Sequence, residues 1–362
     1  MRRVPREGPP RHGRSHPVER RSCTGVRSCA DPRSCAGPRS CADPRSCAGP
    51  RPHRARDDDP GGVHVEELIP VIVRGLGVGS TYALLAVGFV IIYRATDVVN
   101  FAQPALMILG AYYVSFYVFN IGMPFAVAVI ASMITMAAVA ALTERIALRP
   151  MVGEPPFAAA MVTFGVFVAL FIVAFRLIGT NVIVVGDPWG LERMDFLGVR
   201  VNQVDIAKIV ISMIAIAIVG IFLKRSRVGL AMRATALDQE VALAQGVNVG
   251  RMFGLSWAIS GALAALAGML IGTAAGGVSP LVAFVALKAL PVIILGGLDS
   301  IQGSVYAGII IGLAESFTRT YAGTYAPWLG SNFDIVVPYA IMIVVLMVRP
   351  YGLFGTKEVV RV

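Results

Sequence analysis

The chain has 362 residues, of which 56% are hydrophobic and 15% are charged, with a formal net charge of +10. Residues 75–93, 157–175 and 253–275 contain no charge, and each segment supplies about the 20 residues that a helix needs to cross a hydrocarbon core of roughly 30 Å. This composition excludes an ordinary soluble domain and predicts an all-α, polytopic transmembrane helical bundle.

Residues 1–62 differ in composition from everything after them. They contain 14 Arg, no Lys and 7 Asp or Glu, so they carry +7 of the net charge. Between residues 21 and 51 a six-residue unit recurs, Arg-Ser-Cys-Ala-Asp-Pro alternating with Arg-Ser-Cys-Ala-Gly-Pro, and this region holds all five cysteines. A segment of this kind cannot bury a core, so we predict a disordered extension. It has no apolar h-region, so a signal peptide is not indicated.

Nine apolar stretches follow the extension. Because the last two are short, we predict eight or nine spans, some of them broken or re-entrant. The stretches are residues 75–93, 101–119, 125–142, 157–175, 206–223, 253–275, 281–297, 303–316 and 335–348. The sequence therefore divides into the extension 1–62, a transmembrane domain 63–355 and a cytoplasmic tail 356–362.

The loops predict an orientation. Residues 224–251 contain five Lys or Arg, and such loops lie in the cytoplasm. Counting spans from there places loop 179–205, which is net acidic, outside and places Arg145 and Arg149 inside. Only the Arg-rich extension violates this rule. We therefore expect translation to begin near Val63 or Val65, so that the intact mass of the native protein lacks residues 1–62; recovery of peptides from the repeat would contradict this.

The body of the chain is poor in reactive groups. All four His and all five Cys precede the first span, so Ser-His-Asp triads and zinc sites are not expected in the membrane. No Gly-x-x-x-x-Gly-Lys-Ser/Thr loop occurs, so we expect no ATP bound in that manner and no cofactor. The expected surroundings are membrane lipid, with no nucleic acid as a partner.

The loop after the fifth stretch is predicted to form two short helices. Across residues 229–244, apolar Leu230, Ala234, Leu237 and Val241 recur at helical spacing, and Gly246 supplies a stop. Such a helix either lies on the lipid headgroups or docks a soluble partner. The segment from Glu240 through Ala242 to Gly246 has the spacing Glu-x-Ala-x-x-x-Gly.

That spacing resembles the ATPase-docking loop of ABC importer permeases. Five further segments resemble one branch of them, the H-type subunit of the branched-chain amino-acid permeases. These segments are residues 75–88, 99–102, 144–150, 245–248 and 287–303. Each motif alone is weak, but their order and spacing are specific, and they extend over about residues 68–355.

The resemblance implies an assembly in the bacterial inner membrane, without enzymatic activity in this chain. It implies a second permease, two separate ATPase subunits and an extracytoplasmic binding protein that delivers leucine, isoleucine or valine. It also implies that the ATPase-docking loop includes Arg233, Asp238, Glu240, Ala242 and Gly246. Glu240 would be a docking contact or a charge in the first helical turn, Ala242 would permit close approach, and Gly246 would turn the chain.

Five residues are candidates for the substrate path: Tyr82, Asn100, Gln103, Lys288 and Glu315. Transporters place such sites where helices are broken, and Asn100 with Pro104, and Pro291 with the Gly296-Gly297 pair, interrupt two stretches. Lys288 and Glu315 are ionisable residues in apolar surroundings, which fits either helix pairing or contact with the cargo.

One departure from the family leaves the cargo open. After residues 100–102 the family usually continues with His-Gly-Glu, whereas this chain has Gln103-Pro104-Ala105. A neutral Gln would also suit urea or short amides, which the same fold family carries. A passive channel or secondary carrier is a further alternative, although it would need no docking loop. A membrane enzyme would need a polar constellation that this body does not offer.

Overall fold

The structure is a computed structural model that describes residues 65–151, 153–189, 193–196, 199–274, 276–330, 332–349 and 352–355. The predictions for the extension 1–62 and for the tail 356–362 lie outside these residues. Most of the described chain is helical, and its two named strands, β1 (Arg193–Phe196) and β2 (Val199–Asn202), form one antiparallel hairpin in which Arg193 pairs with Asn202. This confirms the all-α helical bundle.

Eleven α-helices form the described body. They are α1 (Val65–Thr96), α2 (Gln103–Phe119), α3 (Phe125–Thr143), α4 (Pro156–Ile178), α5 (Gln203–Arg225), α6 (Arg227–Leu237), α7 (Gln239–Ala244), α8 (Val249–Ala274), α9 (Ala289–Gly296), α10 (Ile301–Tyr325) and α11 (Val337–Val348). Shorter turns adjoin them: a π-helical turn at Glu144–Leu148 and 3₁₀ turns at Arg149–Met151, Pro280–Lys288, Pro327–Leu329 and Phe333–Ile335.

Each of the nine apolar stretches coincides with a helix. Within the described residues, five helical segments are long and apolar enough to span a bilayer, and three more are apolar but shorter. The helix that contains residues 303–316 is longer than this apolar stretch, because α10 continues to Tyr325. Arg319 and its polar neighbours end the apolar stretch, but the helix itself stops only before Pro327, which cannot continue the hydrogen-bond pattern.

The break in the late apolar stretch lies earlier than its proline suggests. Pro291 sits in the first turn of α9, where a missing N–H is tolerated. The interruption is instead the 3₁₀ segment Pro280–Lys288, and Gly297, with φ of +100°, ends α9 as predicted. Near the other predicted break, Asn100 lies in the link between α1 and α2, while Pro104 occupies the first turn of α2.

Helix α1 forms the centre of the bundle, and almost every side chain from residue 80 to 92 is buried. Small residues let its neighbours approach closely. A Cβ atom on Gly79 would lie 2.6 Å from the carbonyl oxygen of Gly308 on α10, and one on Gly261 of α8 would lie 2.5 Å from that of Met136 on α3. Glycines in α1 and α8 therefore let neighbouring helices pack closely.

The outer helices expose their apolar side chains. Ile134, Ile172 and Ile218, on α3, α4 and α5, are each more than half exposed. Such surfaces suit lipid tails, because the exposed side chains are apolar and the backbone N–H and C=O groups form their hydrogen bonds within the helices.

The loops gather at two ends of the bundle. At one end, which we call the basic end, Arg94, Lys224, Arg233 and Asp299 surround a single cleft. At the other, the outer end, Ile183 pairs with Val278 through two backbone hydrogen bonds of 2.7 and 2.9 Å. This arrangement agrees with the charge pattern that predicts a cytoplasmic basic end.

Candidate functional site

A buried polar network holds the link between α1 and α2. Asn100 Oδ1 accepts a hydrogen bond from the Ala102 N–H (2.9 Å), and Asn100 Nδ2 donates to Gln103 Oε1 (3.1 Å). Ser260 of α8 donates its hydroxyl to the same Gln103 oxygen (2.9 Å), and Gln103 Nε2 donates to the Ser260 carbonyl (3.3 Å). Because Gln103 is fully buried, this network clamps α2 to α8 in the described conformation.

A second cluster joins three elements around Glu315. Lys288 Nζ lies 2.6 Å from Glu315 Oε1, and Tyr82 donates its hydroxyl to Glu315 Oε2 (3.0 Å). All three residues are less than 10% exposed. The ion pair connects the end of the 3₁₀ segment to α10, and Tyr82 adds α1. These contacts favour the helix-pairing role over contact with cargo.

A cleft of about 700 Å³ opens at the basic end. Its inner wall is apolar and includes Ile91, Ile216 and Ile309, while its mouth carries Arg94 and Lys224. Helices α1, α5, α6, α8 and α10 all contribute to it. An apolar interior with a few polar groups at the rim is the usual form of a small-molecule site. None of the five predicted path residues lines this cleft, so their role in the path stays a prediction.

The predicted docking loop forms two capped helices. Ser226 accepts a hydrogen bond from the Gly229 N–H (2.8 Å) and starts α6. Asp238 accepts from the N–H groups of Glu240 (2.9 Å) and Val241 (3.0 Å) and starts α7. Glu240 occupies the first turn of α7, where a negative charge suits the helix dipole.

Gly246 turns the chain after α7 with φ of +81°, a conformation that disfavours side chains. Arg233 lines the cleft, and it donates weakly to the backbone oxygens of Gly229 and Lys224, both at 3.4 Å. The sequence therefore predicted both the turn and the two helices of this loop.

The apolar stripe of this loop faces outward, which the sequence alone did not decide. Leu237 is 89% exposed, and Leu230, Val241 and Leu243 are each more than half exposed. Ala242 points the other way and packs with Ala95, Val249 and Phe253. The close approach that Ala242 permits here is therefore to helices of the same chain, which seats α7 on the bundle and leaves its apolar face uncovered.

Two functional features were missed at the sequence level. Ser260, the partner of Gln103, and Ser256, which lines the cleft, lie one helical turn apart in α8. Two hydroxyls at that spacing in a charge-free span lie on one helix face, so the sequence could have predicted this polar pair. Asp205 and Lys208 form a buried pair in α5, with Nζ 3.4 Å from Oδ1, and their spacing of three residues predicts such a pair.

The chain is similar in sequence to proteins of one transport family. The model of the family described as "Branched-chain amino acid transport system / permease component" matches residues 71–346. A curated protein of Escherichia coli K12, the high-affinity branched-chain amino acid transport system permease protein LivH, is 29% identical over 302 residues, which is 80% of this chain and 96% of LivH.

Two further proteins also match this chain. The high-affinity branched-chain amino acid transport system permease protein BraD of Pseudomonas aeruginosa is 30% identical over 309 residues, covering 80% of this chain and 97% of BraD. A solved structure, PsaBC from Streptococcus pneumoniae in complex with Fab, aligns with a TM-score of 0.44 and 16% identity over 78% of this chain and 92% of that chain.

Proposed function

The chain belongs to the family of branched-chain amino acid transport system permease components, and from this premise we propose how it moves its cargo. It is a multi-pass permease subunit of the inner membrane that works with other components of an ABC transporter. In the proposed assembly it pairs with a second permease, two ATPase subunits dock at the basic end, and an extracytoplasmic binding protein delivers leucine, isoleucine or valine at the outer end.

The main support for the proposal is that α6 both lines the cleft and adjoins α7. Met232, Arg233 and Ala236 of this helix line the cleft, and only Asp238 separates α6 from α7. A force applied to α7 is therefore transmitted directly to one wall of the cleft. We assign the cleft as the cytoplasmic section of an alternating-access path, opened and closed by this wall.

The exposed face of the loop supports ATPase docking. Leu237, Val241 and Leu243 present apolar side chains at the basic end, next to the charged residue Glu240. An exposed apolar patch of this kind with a polar rim is typical of a protein interface. An ATPase subunit is the partner that the family's import cycle requires there, since the chain contains no phosphate-binding loop.

The apolar cleft wall fits a branched-chain cargo better than urea or a short amide. Ile91, Ile216 and Ile309 offer surface to an aliphatic side chain, which gains about 25 cal/mol per Å² of apolar area buried. Gln103, the residue that raised the amide alternative, is enclosed between α2 and α8. It therefore gives no reason to prefer a polar cargo.

Purification in mild detergent through a C-terminal tag tests the assembly. We expect mass spectrometry to find a second permease and an ATPase with the wild-type chain, and co-reconstituted vesicles to take up leucine only with ATP. A lone homo-oligomer would contradict the importer assignment and favour a channel or carrier.

The docking face is tested with Leu237→Glu. Because Leu237 is 89% exposed, this change should leave the fold intact and abolish ATPase co-purification and uptake. The matched control is Met194→Glu, which places the same charge on the exposed hairpin at the opposite end, where Met194 is 49% exposed. Equal loss of the ATPase in both variants, or in neither, would count against docking at α7.

A further inference from the structure

The cleft at the basic end lies between α5 and α10. Both helices pack on α1, which forms the back of the cleft. Met213 of α5 and Tyr306 of α10 line the cleft and are still 43% and 56% exposed, so its front is open. Beside them, Ile214 of α5 and Ile310 of α10 are exposed apolar side chains. The cleft therefore opens onto the surface that these helices present to lipid.

The cleft is about as deep as one leaflet of a bilayer. Along α5 it extends from Lys224 at the mouth to Met213, eleven residues away. At 1.5 Å per residue this distance is about 16 Å, close to half of a hydrocarbon core of roughly 30 Å. The wall between these two residues is apolar and includes Ile216, Gly220 and Leu223. An acyl chain of the cytoplasmic leaflet therefore matches the cleft in length and in polarity.

Three cations surround the mouth, and each comes from a different helix. Arg94 lies in the last turn of α1, Lys224 in the last turn of α5, and Arg233 in α6. Arg233 donates weakly to the Lys224 carbonyl oxygen (3.4 Å), which holds its guanidinium beside the end of α5.

These cations leave the mouth positively charged. All three are exposed, and the ion pairs among the described residues include none of them. Asp299 also lines the mouth, so three positive charges stand against one negative charge. An anionic group at the mouth would neutralise this excess.

We propose that the cleft binds an anionic phospholipid of the cytoplasmic leaflet. Its phosphate lies among Arg94, Lys224 and Arg233, and one acyl chain lies along the apolar wall of α5. Basic pockets between membrane spans on the cytoplasmic side bind such headgroups. A helix of another protein in the same place would have to bring acidic residues to this mouth, whereas the headgroup supplies the negative charge itself.

The bound phosphate links three helices. It connects α1 and α5 to α6, the helix that forms the movable wall of the proposed path. A bound lipid therefore restrains this wall. This consequence rests on the proposed function, whereas the binding itself does not.

The headgroup site is tested on the full chain in a neutral detergent, by native mass spectrometry with added phosphatidylglycerol. We expect phosphatidylglycerol to bind more tightly than zwitterionic phosphatidylcholine. Arg94→Gln and Arg233→Gln should each weaken its binding about fivefold or more. Arg225→Gln is the matched control, because Arg225 is an exposed cation in the same turn of α5 that does not line the cleft. Equal weakening in all three variants, or in none, would overturn the inference.

The acyl-chain site is tested with Gly220→Leu. A Cβ atom on Gly220 meets no atom within 4 Å, so the larger side chain should fill the cleft without disturbing the helix. We expect weaker phosphatidylglycerol binding in Gly220→Leu and unchanged binding in Gly165→Leu, whose position in α4 is equally open but does not line the cleft. Glycerol 3-phosphate, the headgroup chemistry without chains, should not compete. Full competition by it would assign the mouth to a soluble phosphate and overturn the lipid.

The occupant is identified in the assembled complex with a photoreactive phosphatidylglycerol. We expect it to label residues 213–224 of α5. Labelling of the isolated chain but not of the complex would assign the cleft to a second protein chain and overturn the inference. Leucine uptake by the same complex reports separately on the proposed function, so an active importer without this lipid would refute only the lipid site.

Discussion

Replacing Lys288 with methionine separates a structural role of the buried ion pair from a role in cargo contact. Lys288 Nζ lies 2.6 Å from Glu315 Oε1, and the two side chains are 11% and 9% exposed. Removal of the lysine leaves a buried carboxylate without its counter-charge, which costs about 3–5 kcal/mol. Exchanging both partners for apolar residues of similar size is roughly neutral, because no charge is then stranded.

The hydroxyl of Tyr82 complicates the double exchange. It donates to Glu315 Oε2 at 3.0 Å, so it loses its acceptor in Lys288→Met/Glu315→Leu. A buried donor without a partner costs about 1–3 kcal/mol, and adding Tyr82→Phe should recover most of that loss. We therefore expect the free energy of unfolding to fall steeply in Lys288→Met, partly recover in the double variant and recover further in the triple variant.

The assay combines thermal unfolding in detergent with leucine uptake by the reconstituted complex. An exposed pair, Arg200 with Asp195, serves as the control, since its side chains are 77% and 78% exposed and such pairs contribute at most about 1 kcal/mol. A Lys288→Met variant as stable as Arg200→Met would refute the pairing argument. Restored stability without restored uptake in the triple variant would instead assign the cluster to the cargo.

Three other predictions follow from backbone and cap geometry. Gly268→Ala places a methyl group into the carbonyl of Met107 and should lower the free energy of unfolding by about 1–3 kcal/mol. Gly165→Ala meets no atom within 4 Å and should be neutral or slightly stabilising. Thermal unfolding compares the two variants, and equal effects would contradict the packing. Gly246→Ala should reduce uptake per ATP hydrolysed by straining the turn at φ +81° by about 1 kcal/mol, and Gly246→Asn should do so less; a coupling ratio unchanged in both would refute this role. Asp238→Ala removes the cap of α7 and should cost that helix about 1 kcal/mol, seen as faster amide hydrogen exchange at residues 240 and 241 and not elsewhere in the loop.

Local pattern was enough to locate the elements. A charge-free run of about 20 residues is a helix in any fold that spans a bilayer, because the backbone must satisfy its own hydrogen bonds there. Capping and turn chemistry are equally local, which is why the two helices around Asp238 and the turn at Gly246 were predictable from their immediate neighbours. The order of the family's motifs along the chain indicated the function. This order, too, is visible in the sequence without the tertiary structure.

Partnership between distant side chains required the tertiary structure. Glu315 meets Lys288 across 27 residues and Tyr82 across 233, and Gln103 meets Ser260 across 157. No local period encodes such distances, because helix packing determines which faces meet.

The direction of a helix face was likewise decided by packing. The stripe through Leu237 and Val241 is amphipathic in sequence, but periodicity cannot say whether the apolar side meets the bundle or a partner. Ala242 seats α7 against Ala95 and Phe253, and this contact turns the larger apolar residues outward. The sequence by itself determined that this chain is a membrane-spanning permease. The tertiary structure decided which residues clamp the helices, which line the cleft and which remain exposed for a partner, because those outcomes depend on the shapes that meet in three dimensions.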